Sequence, residues 1–355
     1  MTSVDLVKKS LSGVGDPPGR LPAALESNED AAAVLKLREA RQRVREEMAK
    51  VVVGQDEIIE SMIIGLLSRG HVLLHGVPGL GKTKMASTLA KTLDMEFRRI
   101  QFTPDLMPSD ITGTDVIQQD EGTGRHQLQF VRGPVFTNFL LADEINRTPP
   151  KTQSALLQAM QEGEVSAGRE TYLLKPPFFV VATQNPIEME GTYPLPEAQV
   201  DRFMFSLKVK YPKLEEEVRI IKGNTSQKEG SPQAILTADE VVRLQDLVRG
   251  VPIDDSVIRF AARLVATTRP GEGSHIDGIH KFITYGASPR ASQFLVLGAK
   301  ARAILSGRYH VDFADIRELA LPVLRHRLVL NFHARAENLD TDMIVERLLN
   351  AVKNE

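Results

Sequence analysis

Between His71 and Val209 the chain sets short apolar runs against longer stretches in which apolar residues return every three or four positions. The runs are His71 to His75 (HVLLH), Glu96 to Phe102, Asn138 to Ala142 (NFLLA), Pro177 to Thr183 (PFFVVAT) and Phe203 to Val209. Continuous runs of this length are what buried strands require. Between the first two, Ala86, Leu89, Ala90 and Leu93 fall on one helix face. The alternation predicts an α/β sheet of five strands with crossover helices. Two stretches are inserted into it: Thr103 to Gly133, with the turn-rich centre QQDEGTGRH, and Gly163 to Lys175, which reads as a hairpin.

Beyond about Tyr211 the pattern is helical only. Thr237 with Glu240 forms a capping box ahead of VVRLQDLVR, and Val257, Phe260, Ala261, Leu264 and Val265 repeat at helical spacing. Ser288-Pro289 marks another start, and Asp312 and Thr341 begin two more helices. At the other end, residues 1–28 are rich in Gly and Pro with little periodicity, which predicts a mobile arm. The stretch AAAVLKLREARQRVREEM combines helix formers with alternating charge, which predicts a solvent-facing helix. The resulting division is an arm over 1–28, a core with its preceding helix over 29–234 and a helical domain over 235–355.

Composition narrows the chemistry. With no Cys among 355 residues, a thiol nucleophile, a Cys-ligated metal and a disulfide are all excluded. The 44 basic and 46 acidic residues nearly cancel, so wholesale binding to a nucleic acid backbone is not expected. No signal-peptide core or stretch of transmembrane length is visible, and a cytoplasmic protein is expected.

Gly76-Val77-Pro78-Gly79-Leu80-Gly81-Lys82-Thr83 matches the phosphate-binding pattern G-x-x-x-x-G-K-[ST] and lies between an apolar strand and an amphipathic helix. Glycines let backbone N–H groups approach phosphate oxygens, and the helix N-terminus adds partial positive charge. Lys82 is expected between the β- and γ-phosphates of a nucleotide and the Thr83 hydroxyl at Mg²⁺. The run NFLLADEIN ends in Asp143, expected to be the second protein ligand of Mg²⁺, and Glu144 follows, placed to polarise the attacking water. The run PFFVVATQNP brings Thr183, Gln184 and Asn185 to the same edge, with Asn185 suited to bond the water or the γ-phosphate. His275 and His280 have no carboxylate cluster around them and read as loop surface, and His75 reads as a strand-end residue.

The set GVPGLGKT, LLADEINRTPPKTQSALLQAMQEGEV, VVATQNPIEMEGTYPLPEAQVDRFMF and YGASPRAS, in this order, resembles the MoxR family of AAA+ ATPases over roughly Val51 to Leu330. The resemblance implies an AAA+ P-loop core, a five-stranded parallel sheet with helices on both faces. It further implies a helix-2 insertion, a pre-sensor-1 hairpin and a C-terminal all-α lid. It makes Lys82 and Thr83 the Walker A pair, Asp143 and Glu144 the Walker B pair, and Asn185 sensor 1. Arg202 in EAQVDRF matches the arginine finger, with an ion pair to Asp201 as the structural alternative and Arg147 as the competing candidate. Arg290 in GASPRAS matches sensor 2, serving its own or a neighbouring subunit. Its place in the first turn of a helix gains nothing from the dipole and points to an anion elsewhere. Val53, Gly54 and Gln55 resemble the segment that lines the adenine pocket, and His326 and Arg327 in LRHRLVLN resemble a lid motif of packing character.

As a family member the chain is expected to form a homo-oligomeric ring, usually hexameric. It is expected to hydrolyse ATP with Mg²⁺ and to remodel, assemble or activate protein clients, often with a von Willebrand factor A domain partner. The alternatives are a magnesium-chelatase-like motor subunit, a nucleic-acid motor and a slow switch. The inserted stretches are mixed in charge and poor in aromatics, which weighs against nucleic acid.

Overall fold

The computed structural model describes residues 28–119, 126–167, 170–186, 191–225, 231–271, 276 and 278–353. The expected N-terminal arm, most of the turn centre of the first insertion and His275 lie outside the described residues.

The described chain opens with α1 (Asn28–Ala49) and α2 (Asp56–Leu67), enters the sheet at β1 (Val72–His75) and crosses through α3 (Lys82–Thr92) to β2 (Phe97–Gln101). A short helix, α4 (Pro108–Thr112), and the antiparallel hairpin of β3 (Gly113–Gln119) and β4 (His126–Arg132) precede β5 (Phe139–Asp143). Next come α5 (Pro150–Glu162), a second hairpin of β6 (Glu164–Ala167) and β7 (Glu170–Leu173), then β8 (Phe179–Gln184). The four-residue α6 (Glu197–Val200) leads into β9 (Phe205–Lys208). The five strands pair in parallel in the order β2-β5-β8-β1-β9. One strand, β8, therefore separates the strand that ends in Asp143 from the strand that leads into the glycine loop.

The sheet is covered on both faces, and its alternate side chains separate accordingly. Val72, Leu74, Phe139, Leu141, Phe179 and Val181 join α2, α3 and the helical domain in one apolar cluster. Leu73, Leu140, Ala142, Val180 and Ala182 join Leu156, Leu157 and Met160 of α5 and Ile111 of α4 in another. This two-sided burial accounts for the unbroken apolar runs.

Beyond the sheet the chain forms α7 (Leu214–Thr225), α8 (Ala238–Arg249), α9 (Asp255–Ala266), β10 (Ile283–Tyr285), α10 (Pro289–Leu305), α11 (Phe313–Leu324), β11 (Val329–Leu330), α12 (Phe332–Ala336) and α13 (Thr341–Ala351). The helical domain thus also carries a two-stranded antiparallel ribbon of β10 and β11. Thr237 and Glu240 make the expected capping box on α8. Ser288 stands at the N-cap of α10 without bonding its first turn, because its hydroxyl donates to Asp201 instead.

The helix expected to face solvent does not do so. Along α1, Leu37, Ala40, Val44 and Met48 are all buried, and Arg41 donates to the Leu305 carbonyl at 3.0 Å while pairing with Glu60 at 2.5 Å. This helix joins α2 of the core to the end of α10 in the lid. The charge alternation describes only its outer face, and the apolar stripe beneath it decides where the helix goes.

Candidate functional site

The phosphate-binding loop runs from the end of β1 into α3. Gly79 and Gly81 hold φ of +85° and +75°, and a Cβ at either would meet open space. Glycine is required there by conformation, and the open side leaves the loop's backbone free to face a ligand. Gly76 is different: a Cβ would stand 3.0 Å from Val209 Cβ, so this glycine lets the loop lie against the residue that directly follows β9. Lys82, the first residue of α3, is buried and turns its Nζ onto the carbonyl of Gly76. Burial lowers its pKa while Asp143 and Glu144 oppose that fall, so the three groups share one field.

Asp143 and Glu144 end β5 beside this loop. Asp143 is buried, and its two carboxylate oxygens have separate partners: Thr183 Oγ1 donates to Oδ1 at 2.6 Å, and Arg99 Nη2 donates to Oδ2 at 2.7 Å. The Thr183 hydroxyl also accepts from the Glu144 backbone N–H at 2.8 Å, so one β8 side chain sets both acids. Glu144 adopts φ of +58°, uncommon and strained for a non-glycine residue, and turns its carboxylate out of the strand line. There Oε2 accepts from Gln101 Nε2 at 2.8 Å and pairs with Arg147 Nε at 3.1 Å. Asn185 follows β8 directly and is buried between the strands of Asp143 and of the loop.

A cleft of about 470 Å³ opens beside the loop between core and lid, lined on the core side by His75, Val77, Leu80 and Tyr211 and on the lid side by Arg325, His326 and Thr341. That volume is of the size small-molecule sites use. His75 is held down to about 4, chiefly by burial and then by Arg325, Lys208 and Lys82, so the cleft receives a neutral ring. His326 is likewise held well below its ordinary value by burial. Val53, Gly54 and Gln55 do not line this cleft. They sit behind it, Gln55 donating to the Lys210 carbonyl at 2.9 Å and Gly54 lying against the Glu216 carboxylate.

The two remaining arginines lie elsewhere. Met204 donates its N–H to the His71 carbonyl, so the turn bearing Arg202 is level with the start of β1, five residues before Gly76. At ~3.3 Å per residue the glycine loop is roughly 16 Å away, at the opposite edge of the sheet. Asp201 is committed to lid residues: Arg290 Nη1 bonds it at 3.1 Å and Arg327 Nε at 2.7 Å. The side chain of Arg202 forms no ion pair with Asp201 or with any other described residue. Arg147, the competing candidate, is bound to Glu144 of its own chain. His280 bonds the Thr267 carbonyl at 2.8 Å.

Comparison with known proteins gives the family. Residues 71–205 match the ATPase family associated with various cellular activities (AAA), and residues 278–348 match the AAA lid domain. The chaperone MoxR1 of Mycobacterium tuberculosis is 46% identical over 310 residues, covering 86% of this chain and 80% of the relative. The MoxR protein of Methylorubrum extorquens is 30% identical, covering 86% of this chain and 93% of that one. The chain belongs to the MoxR family of AAA ATPases. Among solved structures, a Cytophaga hutchinsonii protein assigned as an ATPase superposes with a TM-score of 0.84 at 43% identity, covering 91% of this chain and 97% of that one.

For a MoxR-family member the donors near the loop suit a nucleotide that brings its own metal. No group of three or more His, Asp or Glu gathers for a metal ion among the described residues. Mg²⁺ keeps waters and phosphate oxygens and needs only one or two protein ligands, which Thr83 and Asp143 can supply. Two residues went unassigned in the sequence. Thr183 was visible only as one polar residue at a strand end, yet it orders both acids. Arg327 read as packing, yet it is the arginine bound most closely to the segment beside Arg202. No helix among the described residues is long and apolar enough to cross a membrane.

Proposed function

We propose that this protein is a Mg²⁺-dependent ATPase working as a homo-oligomeric ring, whose turnover remodels or activates protein clients. The carrying observation is the separation of Arg202 from the phosphate loop of its own chain by the length of β1. A finger unable to reach its own site calls for a second copy to complete each site. In this reading Gly76 to Gly81 present backbone N–H groups to the phosphates, Lys82 neutralises their charge, and Thr83 and Asp143 hold the metal. Bound Mg²⁺ would withdraw charge from the phosphate oxygens. Glu144 orients and deprotonates the attacking water, Asn185 fixes its position, and Arg202 of the neighbour stabilises the charge that develops on the leaving phosphates. Arg290, tied to Asp201 at the same far edge, acts across the same interface. Val53, Gly54 and Gln55 support the adenine side from behind.

Protein clients are favoured by the inserted hairpins. Ile117 and Leu128 on the first and Leu173 on the second are each more than 70% exposed. Exposed apolar side chains on projecting hairpins suit contact with protein better than with a phosphate backbone. A von Willebrand factor A domain protein is the partner class carried over from the family. Phosphate release from Mg²⁺-ATP tests the enzyme, and client capture by Glu144→Gln with ATP tests the motor. The paired change Ile117→Asp and Leu128→Asp should lose the client while keeping basal turnover. Absence of any phosphate release would overturn the reading.

A further inference from the structure

The guanidinium of Arg327 is almost wholly inside the protein, with its side chain 1% exposed. Its bonds converge on one short segment of the core. Nε bonds Asp201 Oδ1 at 2.7 Å, Nη2 donates to the carbonyls of Asp201 at 2.8 Å and Phe203 at 2.7 Å, and Nη1 donates to the carbonyl of Met204 at 3.3 Å. Nη1 also bonds the Val323 carbonyl of α11, the helix that ends three residues before it, which anchors the side chain on the lid. The other face of the group lies over the ring of Phe294 on α10, 5.2 Å from its centroid. His326 adds a bond to the Phe203 carbonyl at 3.0 Å. The residue enclosed by these contacts, Arg202, has no ion pair of its own among the described residues.

Burying a charged group is costly unless every donor is satisfied, and a packing role would be filled at less cost by an apolar side chain. A planar fork of five donors, by contrast, can fix several backbone carbonyls in one arrangement. Burial does pull Arg327 down, to about 10, with Asp201 opposing, so it stays charged at neutral pH. The lid comes close at this point. A Cβ on Gly298 of α10 would stand 2.8 Å from Met204 Cε and from Leu319 Cδ1.

We infer that Arg327 is a positioning residue for Arg202: through Asp201 and the 201–204 carbonyls it fastens the finger-bearing segment to the lid, so that the lid's position sets where the finger points in the neighbouring subunit. Asp201 is the shared joint, since Arg290 holds its other oxygen. A move of Arg290 from Asp201 to an anion would leave Arg327 as the remaining charged partner of that carboxylate, beside the Ser288 hydroxyl. The inference rests on the proposal above that Arg202 serves a neighbouring copy.

The test is subunit mixing with the full-length protein. Arg327→Lys keeps the charge but loses the fork, and a finger displaced by about 1 Å should lower turnover roughly 100-fold while ATP affinity stays within about twofold. The control is a mixture of Arg202→Ala with Glu144→Gln, in which each subunit supplies what the other lacks. If Arg327 positions the finger, Arg327→Lys mixed with Glu144→Gln recovers activity as the control does, and mixed with Arg202→Ala it does not. Recovery with Arg202→Ala, or no recovery with Glu144→Gln while the control recovers, overturns the inference. A control that never recovers overturns the trans finger itself and the inference with it. Asp201→Asn, isosteric and partly exposed, should follow the same pattern and carries the test if Arg327→Lys does not fold. Without turnover, amide exchange at Arg202 to Met204 should quicken at least about tenfold in Arg327→Lys with β1 unchanged. Unchanged exchange there counts against the inference.

Discussion

The two edges of the central sheet are built differently. At the edge where strands end, Gly76 to Thr83, Asp143, Glu144 and Asn185 emerge from adjacent buried strands, each placed by the strand or loop that carries it. At the opposite edge, Asp201 and Arg202 lie in a turn held by Arg290 and Arg327, which arrive from the lid 89 and 126 residues later in the chain. The first edge is the nucleotide site of the proposed function, and it is built from local structure. The second has its geometry set by a contact between the core and the lid. Under the function proposed above, the contrast is a division of labour: binding would rest on local structure, and completion of the site on lid position and another subunit.

That division is most sharply challenged at the second edge. Arg202→Ala should lower turnover by roughly 10³-fold and leave ATP binding to the isolated subunit unchanged, because the side chain cannot reach its own loop. Loss of ATP affinity would instead place Arg202 at the first edge. Glu144→Gln should cost about 10² to 10³-fold in turnover with binding retained, and measurable hydrolysis near the parent rate would remove Glu144 as the base.

A proton-linked measurement compares the edges through one strand, since His71 begins and His75 ends the buried run of β1. Burial holds both near 4, against an ordinary 6.5. The unfolded chain therefore binds protons that the folded chain refuses, and stability is lost as pH falls from about 6.5 toward 4, by at most about 3 kcal/mol for each histidine. Denaturation midpoints across that window and imidazole NMR titrations check this. An imidazole of either histidine titrating near 6.5 would show its end of the strand to be open.

The smallest effect expected is at Arg99. Its half-exposed pair with Asp143 occupies an oxygen that Mg²⁺ would take in the proposed site, so Arg99→Gln should lower the Mg²⁺ concentration for half-maximal activity a few-fold. A rise instead would mean that Arg99 holds the carboxylate in place.

The first edge was legible in the sequence because its signals are short-range. Each buried strand reads as a continuous apolar run, and the candidate residue stands at its end, so Asp143 and Asn185 could be aligned before any fold was known. At the second edge Arg202 and Arg290 could be named from the motifs, but the contacts that hold them could not. Nothing local to LRHRLVLN tells that Arg327 reaches Asp201, and the proximity of Asp201 to Arg202 in sequence suggested an ion pair that the lid arginines take over. The same limit hid the docking of α1, where frequent charges masked Leu37, Ala40, Val44 and Met48. It also hid the ribbon of β10 and β11, whose two- and three-residue strands are too short to show a period of two. The cleft beside the loop draws on Leu80, Tyr211 and Thr341 together, a set that only the folded chain assembles.

The dependence of each site on a neighbour is most directly tested by the specific ATPase activity measured as a function of protein concentration, with the assembly state followed by sedimentation. Total activity should rise more than linearly and specific activity should fall toward zero as rings dissociate. Activity strictly proportional to concentration down to fully monomeric protein would contradict a site completed in trans.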